Sequence, residues 1–261
     1  MPRLTERDHI RSLLHTDHLW AAYALGDLAP GFYEHTAWYH LPEDPSALAL
    51  TLNLFELPVL FLMGLPVSAR LLLDEIGTLR RVFFLVRPEI LPVFLERYRI
   101  EKRETMWRMR LEAADFHYTP PTDVERLGPA DLGALQALFA DGEVVGEAPD
   151  FFAPAMLEKG VYFGVREGEA LIAAAGTHLL EPSEGVGAIG NVYTRRDRRG
   201  RGLATQVTGA VAAELVRRQL PTIVLNVNRE NLAARRVYER LGFQPYCLYE
   251  EGVAIGGSAT A

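Results

Sequence analysis

Cysteine and lysine are almost absent from this chain of 261 residues, which contains one cysteine, Cys247, and two lysines, Lys102 and Lys159. A single cysteine excludes an internal disulfide and a thiolate metal cluster, and it is typical of a protein kept in a reducing compartment. The first residues show no charged segment followed by an apolar stretch, which a secretory signal would need. We therefore expect a cytoplasmic protein that holds no metal.

The chain also lacks a long uninterrupted apolar run and an excess of positive charge. Its longest apolar stretch, from Leu48 to Leu73, is broken by Asn53, Glu56, Pro58, Pro66, Ser68 and Arg70. A membrane-spanning segment would not carry these breaks. The formal net charge of −7 argues against general nucleic-acid binding. We expect neither a membrane nor a nucleic acid as partner.

What the chain does contain is a glycine turn rich in arginine. Residues 199–204 read Arg-Gly-Arg-Gly-Leu-Ala and lie between an apolar, strand-like run and a helical pattern. Glycines leave backbone N–H groups free of side-chain cover, and the start of a helix adds its positive dipole end. Five arginines between Arg195 and Arg201 supply charge-assisted donors for phosphate oxygens. This combination predicts a site for a phosphate-bearing ligand, although any tight turn can use glycine.

The surroundings of this turn predict a strand, a helix and a second strand. Residues 186–194 form a short apolar run typical of a buried strand, and residues 222–227 form another. Between them, apolar residues recur every four positions, as in a helix that buries one stripe: Leu203, Val207, Val211 and Leu215. The turn then lies at the carboxyl end of the first strand, where ligands usually bind.

Two other nucleotide-binding patterns share this layout, and the residues exclude both. The Walker pattern needs Lys followed by Ser or Thr at the helix start, where this chain has Leu203 and Ala204. The dinucleotide pattern needs a third glycine, where the chain has Thr205, and an acidic residue about 20 positions further on. Residues 221–223 occupy that place without an acid.

A second helix is predicted from Asn228 to Phe243. Asn228 can cap its start, and Gly242 stands where a left-handed residue ends a helix. Asn231 and Tyr238 are seven residues apart, so they project from one face about two turns apart. A buried tyrosine with a satisfied hydroxyl is the ordinary interpretation of such a residue, and a functional phenol is the alternative.

Together these segments resemble the GNAT superfamily of acyl-CoA-dependent N-acetyltransferases, and within it the branch of glycine N-acyltransferase-like domains. The likeness covers residues 162–249. Residues 199–204 fit the superfamily's Arg/Gln-x-x-Gly-x-Gly/Ala loop, and residues 231–243 fit its Asn-x-x-Ala-x-x-x-Tyr signature followed by Leu-Gly-Phe. The resemblance implies an α/β fold with a mixed sheet, and acetyl-CoA or another short acyl-CoA as cofactor.

The resemblance also implies roles for single residues. Residues 192–194 would offer backbone groups to the pantetheine arm, residues 199–205 would hold the pyrophosphate, and Tyr238 would be the general acid. The full cofactor set implied in this way is Asn191, Val192, Tyr193, Thr194, Arg199, Gly200, Arg201, Gly202, Leu203, Ala204, Thr205, Asn226, Asn231, Ala234 and Tyr238. A phenol near the sulfur has a physical rationale of its own, because its proton lowers the cost of the leaving thiolate.

The general base and the acceptor site are less clearly marked. His178 ends an apolar run and shares a strand face with Ala174 and Gly176, whose small side chains leave space in front of an imidazole. It is the candidate base, although a histidine at a strand end is often structural. Three acids of the loop at residues 141–150 are candidates for attracting a cationic amine, although such a loop is often only solvated: Glu143, Glu147 and Asp150.

A proline-containing linker around Pro120 predicts two domains, residues 1–119 and residues 120–261. The first has α and β patterns that could form a degenerate copy of the same fold, but its segment from Gly64 to Arg70 has one glycine and no open phosphate turn. The expected architecture is a tandem pair of GNAT-like domains in which the second carries the cofactor site. We expect the first to be non-catalytic.

The expected function is that of an N-acetyltransferase, with direct attack of a primary amine on acyl-CoA in a ternary complex. The acceptor is expected to be a small-molecule or peptide amine, and the protein a monomer or homodimer. Two other classes stay open: a CoA-binding regulator without turnover, and a structural protein that binds no CoA. Tyr238 argues against both, since binding alone needs no acid at the sulfur.

Overall fold

The structure, a computed structural model, describes residues 3–143, 146–149 and 151–257. The helices are α1 Arg7–Leu14, α2 Ala22–Gly26, α3 Pro66–Ile76, α4 Leu91–Leu95, α5 Leu132–Glu143, α6 Pro154–Lys159, α7 Leu203–Arg217 and α8 Leu232–Arg240. The strands are β1 Thr36–Leu41, β2 Asp44–Leu52, β3 Val59–Met63, β4 Arg81–Val86, β5 Tyr98–Arg110, β6 Val124–Leu127, β7 Tyr162–Glu167, β8 Ala170–Glu181, β9 Val186–Thr194, β10 Thr222–Asn228 and β11 Gln244–Gly256.

The chain divides into two compact units. Unit 1 consists of Met1–Arg108 and Tyr246–Ala261, and unit 2 of Met109–Pro245. The chain passes from one unit to the other inside β5 and again inside β11. These bounds differ from a single division near Pro120, because the last strand joins the first unit.

The sheet of unit 1 has the strand order β1-β2-β3-β4-β11-β5. Strands β1, β2 and β3 are antiparallel neighbours, β3 and β4 are parallel, and β4 and β11 are antiparallel. The ring of Phe94 in α4 lies 4.7 Å from Phe84 and 4.5 Å from Tyr98 between ring centroids. Apolar residues of α3 and α4 bury this side of the sheet in one core.

The sheet of unit 2 has the order β10-β9-β8-β7-β6, with β9 and β10 parallel and the other pairs antiparallel. Apolar residues of α5 pack on one side, which we call the α5 face, in a cluster with Tyr162, Ala174 and Tyr193. Helix α7 covers the opposite side, the α7 face, where a Cβ at Gly187 would meet Leu215 at 3.0 Å. The predicted strand, turn, helix and strand are confirmed as β9, α7 and β10.

The order of elements occurs twice along the chain. Three strands, a helix, a strand, a helix and a strand appear as β1-β2-β3-α3-β4-α4-β5, and again as β7-β8-β9-α7-β10-α8-β11. The longest helix in the described part is α7, with 15 residues. None of the described helices has the length and apolar character that crossing a bilayer requires.

Candidate active site

Strands β9 and β10 are paired over only part of their length. Their parallel pairing runs from Val186 with Thr222 to Ile189 with Leu225, and in the described chain no pair between these strands follows. Asn191 has a φ of +52°. The register between β8 and β9 shifts at this place, so that β9 carries one extra residue between Gly190 and Tyr193. The carboxyl ends of β9 and β10 therefore leave a gap in the parallel ladder.

The turn after β9 has the conformation that favours glycine. Gly200 and Gly202 both have a φ of +78°, and a Cβ at either position would meet nothing within 4 Å. Gly202 is the N-cap of α7 and provides no side-chain hydrogen bond to the helix. Within the described chain, the first N–H groups of this helix, at residues 203–205, have no partner. The turn offers an anion open space and free donors.

Four of the five arginines around this turn are paired with carboxylates of the chain. The pairs are Arg195 and Arg198 with Glu167 and Asp197, Arg196 with Asp141, and Arg199 with Glu147. Among the described residues, Arg201 is the arginine of this turn that forms no close ion pair; it is exposed, and its charge acts on Glu167 from a longer distance. The sequence indicated five donors for phosphate, but neighbouring acids already hold four of them.

Three buried polar atoms around the parted strands lack a hydrogen-bond partner in the described chain. They are Oγ1 of Thr194 at the end of β9, Oε1 of Gln206 in α7, and Oδ1 of Asn226 in β10, beyond the last pair of this strand with β9. Leaving a buried polar atom unsatisfied costs about 1–3 kcal/mol, and a polar ligand would remove that cost. The free N–H groups, together with the unpartnered atoms of Thr194 and Gln206, fit a ligand that combines phosphate with amide groups, as CoA does. No cluster of three potential metal ligands is found among the described residues.

Tyr238, the candidate acid, lies in α8 and is 7% exposed. Its ring meets Phe243 edge to face, with 6.2 Å between centroids. Burial raises the pKa of its phenol to about 12. The phenol is therefore protonated at neutral pH, which is the state that a proton donor needs.

His178, the candidate base, lies half-buried in β8, where the register with β9 shifts by one residue. Its ring centroid is 5.8 Å from that of Phe151. Across the strand pair, a Cβ at Gly190 would meet the Cβ of His178 at 2.8 Å. The absence of a side chain at Gly190 is thus what accommodates the histidine at this position.

The expected space in front of the imidazole is not at Ala174 and Gly176. A Cβ at Gly176 would clash with the ring of Tyr162, which covers this glycine. Ala174 is fully buried in the cluster with α5. The prediction that Ala174 and Gly176 leave space in front of the imidazole is wrong, because the ring of Tyr162 on the neighbouring strand occupies the space beside Gly176.

Sequence reasoning also missed the buried hydrogen bonds that position Asn191. Its Nδ2 donates to the hydroxyl of Tyr162 at 2.7 Å, and that hydroxyl donates to the carbonyl oxygen of Thr177 at 3.3 Å. The side chain of Asn191 thus stabilises the irregular part of β9, and its backbone is what a cofactor could contact. An asparagine within an apolar run is the available signal, because asparagine tolerates positive φ.

Asn231 caps α8, and its Oδ1 accepts a hydrogen bond from the N–H of Ala234 at 3.0 Å. The expectation that Asn228 is the cap was wrong. Oδ1 of Asn228 accepts from the N–H of Glu230 at 2.9 Å, in the turn before the helix. The helix is therefore shorter than predicted, Leu232–Arg240, and Asn231 and Ala234 lie together at its start.

Of the three acids expected at the acceptor site, Glu147 is bound to the turn at residues 195–202. Its Oε2 accepts a hydrogen bond from Arg199 at 2.6 Å, and this bond lowers the pKa of Glu147. Glu143 is exposed at the end of α5, and Asp150 lies outside the described residues. The structure thus brings Glu147 to the predicted cofactor turn.

One family model and several solved structures are similar to this chain. A family model described as FR47-like protein matches residues 162–251, from the start of β7 into β11. No curated protein matches the chain in sequence. Among solved structures, a Drosophila protein shares 14% identity at a TM-score of 0.72, with 97% of each chain covered.

Two further similar structures are a GCN5-related N-acetyltransferase and a tandem GNAT protein. A GCN5-related N-acetyltransferase from Kribbella flavida has a TM-score of 0.58 and 18% identity, with 92% of this chain and 97% of that chain covered. A tandem GNAT protein from the clavulanic acid biosynthesis pathway has a TM-score of 0.55 and 13% identity, with 98% of each chain covered. The fold is the GNAT fold. At such identities the likeness establishes the fold alone.

Proposed function

We propose that this GNAT-fold protein is an N-acyltransferase that moves an acetyl or other short acyl group from acyl-CoA to a primary amine, by direct attack in a ternary complex. The observation that carries the proposal is the open start of α7. Its first N–H groups have no hydrogen-bond partner in the described chain, and the preceding Gly200 and Gly202 leave open space beside them. The strand before this turn, β9, has parted from its parallel neighbour β10. Packing alone requires neither feature.

We assign acyl-CoA to the open start of α7 and to the parted ends of the two strands. The N–H groups of residues 203–205, together with Arg201, would bind the pyrophosphate. The free edge of residues 192–194 and the capping residue Asn231 would bind the pantetheine arm. The bound group would supply a thioester, whose acyl carbon is the centre of attack.

The chemistry then needs one proton acceptor and one proton donor. The amine nitrogen forms a bond to the acyl carbon, and the bond from that carbon to sulfur breaks. His178 takes the proton that the amine loses, and Tyr238 gives its proton to the departing sulfur. Both side chains return to their starting states by exchange with solvent, so protons and electrons balance.

The two halves of the chain would differ in their ability to bind CoA. The first half repeats the order of elements without an open phosphate turn, so we assign one CoA to each chain, held by residues after Pro120. We also propose that the chain belongs to the glycine N-acyltransferase-like branch and that its first half is a degenerate, non-catalytic copy of the fold. The single cysteine supports a reducing cytoplasm as the place of action.

A thiol-release screen tests the proposal. Acetyl-CoA is offered with a panel of simple amines, amino acids and aminoglycosides, and free thiol is measured while CoA binding is followed by calorimetry. Thiol release that depends on an amine is the expected result. CoA binding without release from any member would point to a regulator, and the absence of CoA binding would contradict the cofactor site itself.

A further inference from the structure

We infer that Asn226 binds the acceptor amine, with its side-chain carbonyl accepting a hydrogen bond from an amine N–H beside His178. This inference rests on the proposed function and adds a residue to the acceptor side of the same site. It differs from the role that family resemblance gave to Asn226, which was to contact the cofactor.

His178, Gly190 and Asn226 share one face across three neighbouring strands. A Cβ built at Gly190 would closely approach the Cβ of His178. A side chain at position 190 and the side chain of His178 would therefore lie on the same face of the sheet. Val224 of β10 pairs with Ala188 of β9, and side chains alternate along a strand. Asn226 and Gly190, each two residues further on, are therefore turned to one face, just beyond the last pair of the two strands.

This face is the α5 face of unit 2. Gly190 pairs with Gly176, and a Cβ at Gly176 would meet the ring of Tyr162, which belongs to the cluster with α5. Gly187 is turned to the opposite face, where Leu215 of α7 covers it. Asn226 is thus turned away from the helix whose start offers donors to phosphate, and toward the face of the candidate base.

The chemistry of the two side chains suits an amine. Oδ1 of Asn226 is buried and has no partner in the described chain. A primary amine that gives one proton to His178 retains a second N–H, which can donate to this oxygen. Two hydrogen bonds fix the direction of the nitrogen lone pair, and orientation of the attacking atom is a large part of catalysis.

Kinetics of two Asn226 variants test this role. Asn226→Leu removes the oxygen at nearly constant volume, and Asn226→Asp keeps an acceptor oxygen. With the panel amine that the wild type acetylates fastest, we expect Asn226→Leu to raise the KM for the amine about tenfold. The KM for acetyl-CoA and the calorimetric Kd for CoA should stay within about twofold, and Asn226→Asp should recover most of the loss in amine KM.

A second readout does not depend on turnover. The imidazole of His178 is titrated by NMR in the full chain, with its signal assigned from a His178→Gln spectrum. Asn226→Asp should raise the pKa of His178 by about one pH unit, because a nearby carboxylate stabilises the imidazolium. Gln219→Glu makes the same amide-to-carboxylate change in the exposed turn before β10, and it should leave that pKa unchanged.

Each contrary result has a distinct meaning. If Asn226→Leu weakens CoA binding as much as it raises the amine KM, Asn226 belongs to the cofactor arm, and the inference is wrong while the proposed function stands. If the pKa of His178 is unchanged in Asn226→Asp, the two side chains are too far apart to contact the same amine, and the inference is also wrong. If the wild type binds CoA but releases thiol with no amine, the proposed function and this inference fail together.

Discussion

The two units contain the same crossover, a strand followed by a helix and a parallel strand, and they build its first turn differently. In unit 1, β3 leads into α3 through Gly64 and Leu65, and Pro66 is the first helical residue. Proline has no N–H, so the start of α3 lacks one of the donors that a helix usually offers. The N-cap is an exposed leucine.

In unit 2, eight residues, 195–202, connect β9 to α7. The glycines of the two turns also serve different purposes. Gly64 has a φ of +113°, and a Cβ there would lie 2.7 Å from the Cα of Ala47, so this glycine allows close packing. Gly202 faces open space. A repeated fold therefore does not repeat a site; the length of the turn and the surroundings of its glycines decide whether an anion can bind.

The largest expected effect is on CoA binding by Gly202→Glu. The new carboxylate would occupy the place of the pyrophosphate and repel it, so we expect no measurable CoA affinity by calorimetry. The left-handed φ costs about 1–2 kcal/mol, which a folded variant tolerates. A variant that melts cooperatively and still binds CoA normally would contradict the assignment of the anion site to α7.

Removal of the Tyr238 hydroxyl should have the next largest effect. Tyr238→Phe keeps the ring and loses the proton, so kcat should fall by about 10²- to 10⁴-fold with little change in CoA affinity. Tyr98→Phe removes the hydroxyl of a buried tyrosine that follows α4 in unit 1, and kcat should not change. Equal kcat values for the two variants would show that Tyr238 is not the acid.

Gly64→Ala should affect stability and leave binding unchanged. The added methyl group would press on Ala47, and the residue would keep a left-handed φ. We expect a loss of about 2–5 kcal/mol in the free energy of unfolding, measured by urea denaturation. The CoA affinity of the folded variant should equal that of the wild type; a loss of affinity as large as in Gly202→Glu would remove the distinction between the two turns.

The smallest expected effect distinguishes two arginines of the turn at residues 195–202, Arg201 and Arg198. Arg201→Ala should weaken CoA binding by about three- to tenfold and reduce its dependence on salt, because the side chain forms no close ion pair that phosphate would have to displace. Arg198→Ala should cost less, since Arg198 already pairs with Glu167 and Asp197. A larger loss for Arg198→Ala would mean that CoA displaces those carboxylates.

Local sequence patterns predicted the strands, the helix and the turn conformation around residues 186–227, because these depend on residues close together in the chain. The apolar runs at 186–194 and 222–227 and the four-residue repeat of the helix between them correspond to β9, β10 and α7. Glycines 200 and 202 adopt the conformation for which glycine was expected. The fold was predicted from the resemblance of two segments to the GNAT signatures, because the order and spacing of these signatures correspond to one arrangement of helices and strands.

Contacts between distant residues could not be predicted in this way. Glu147 and Arg199 are 52 positions apart, and Asn191 and Tyr162 are 29 apart. No local pattern shows that Gly176 is covered by a ring, or that the cap of α8 is Asn231 rather than Asn228. Each of these depends on which strands are neighbours and on how their register shifts, and that is a property of the assembled sheet.

The pairing of β11 with β4 has a consequence for synthesis of the chain on the ribosome. Residues 246–256 are made after all of residues 109–245, yet they complete the sheet of unit 1. Domains generally fold in the order in which they emerge, the N-terminal one first. Here unit 2 has its whole sequence available while β4 still exposes an unpaired edge, the kind of surface that recruits other strands. Unit 1 is thus the first to be synthesised and the last that can complete its fold. The nascent chain needs protection from aggregation chiefly at the edge of β4.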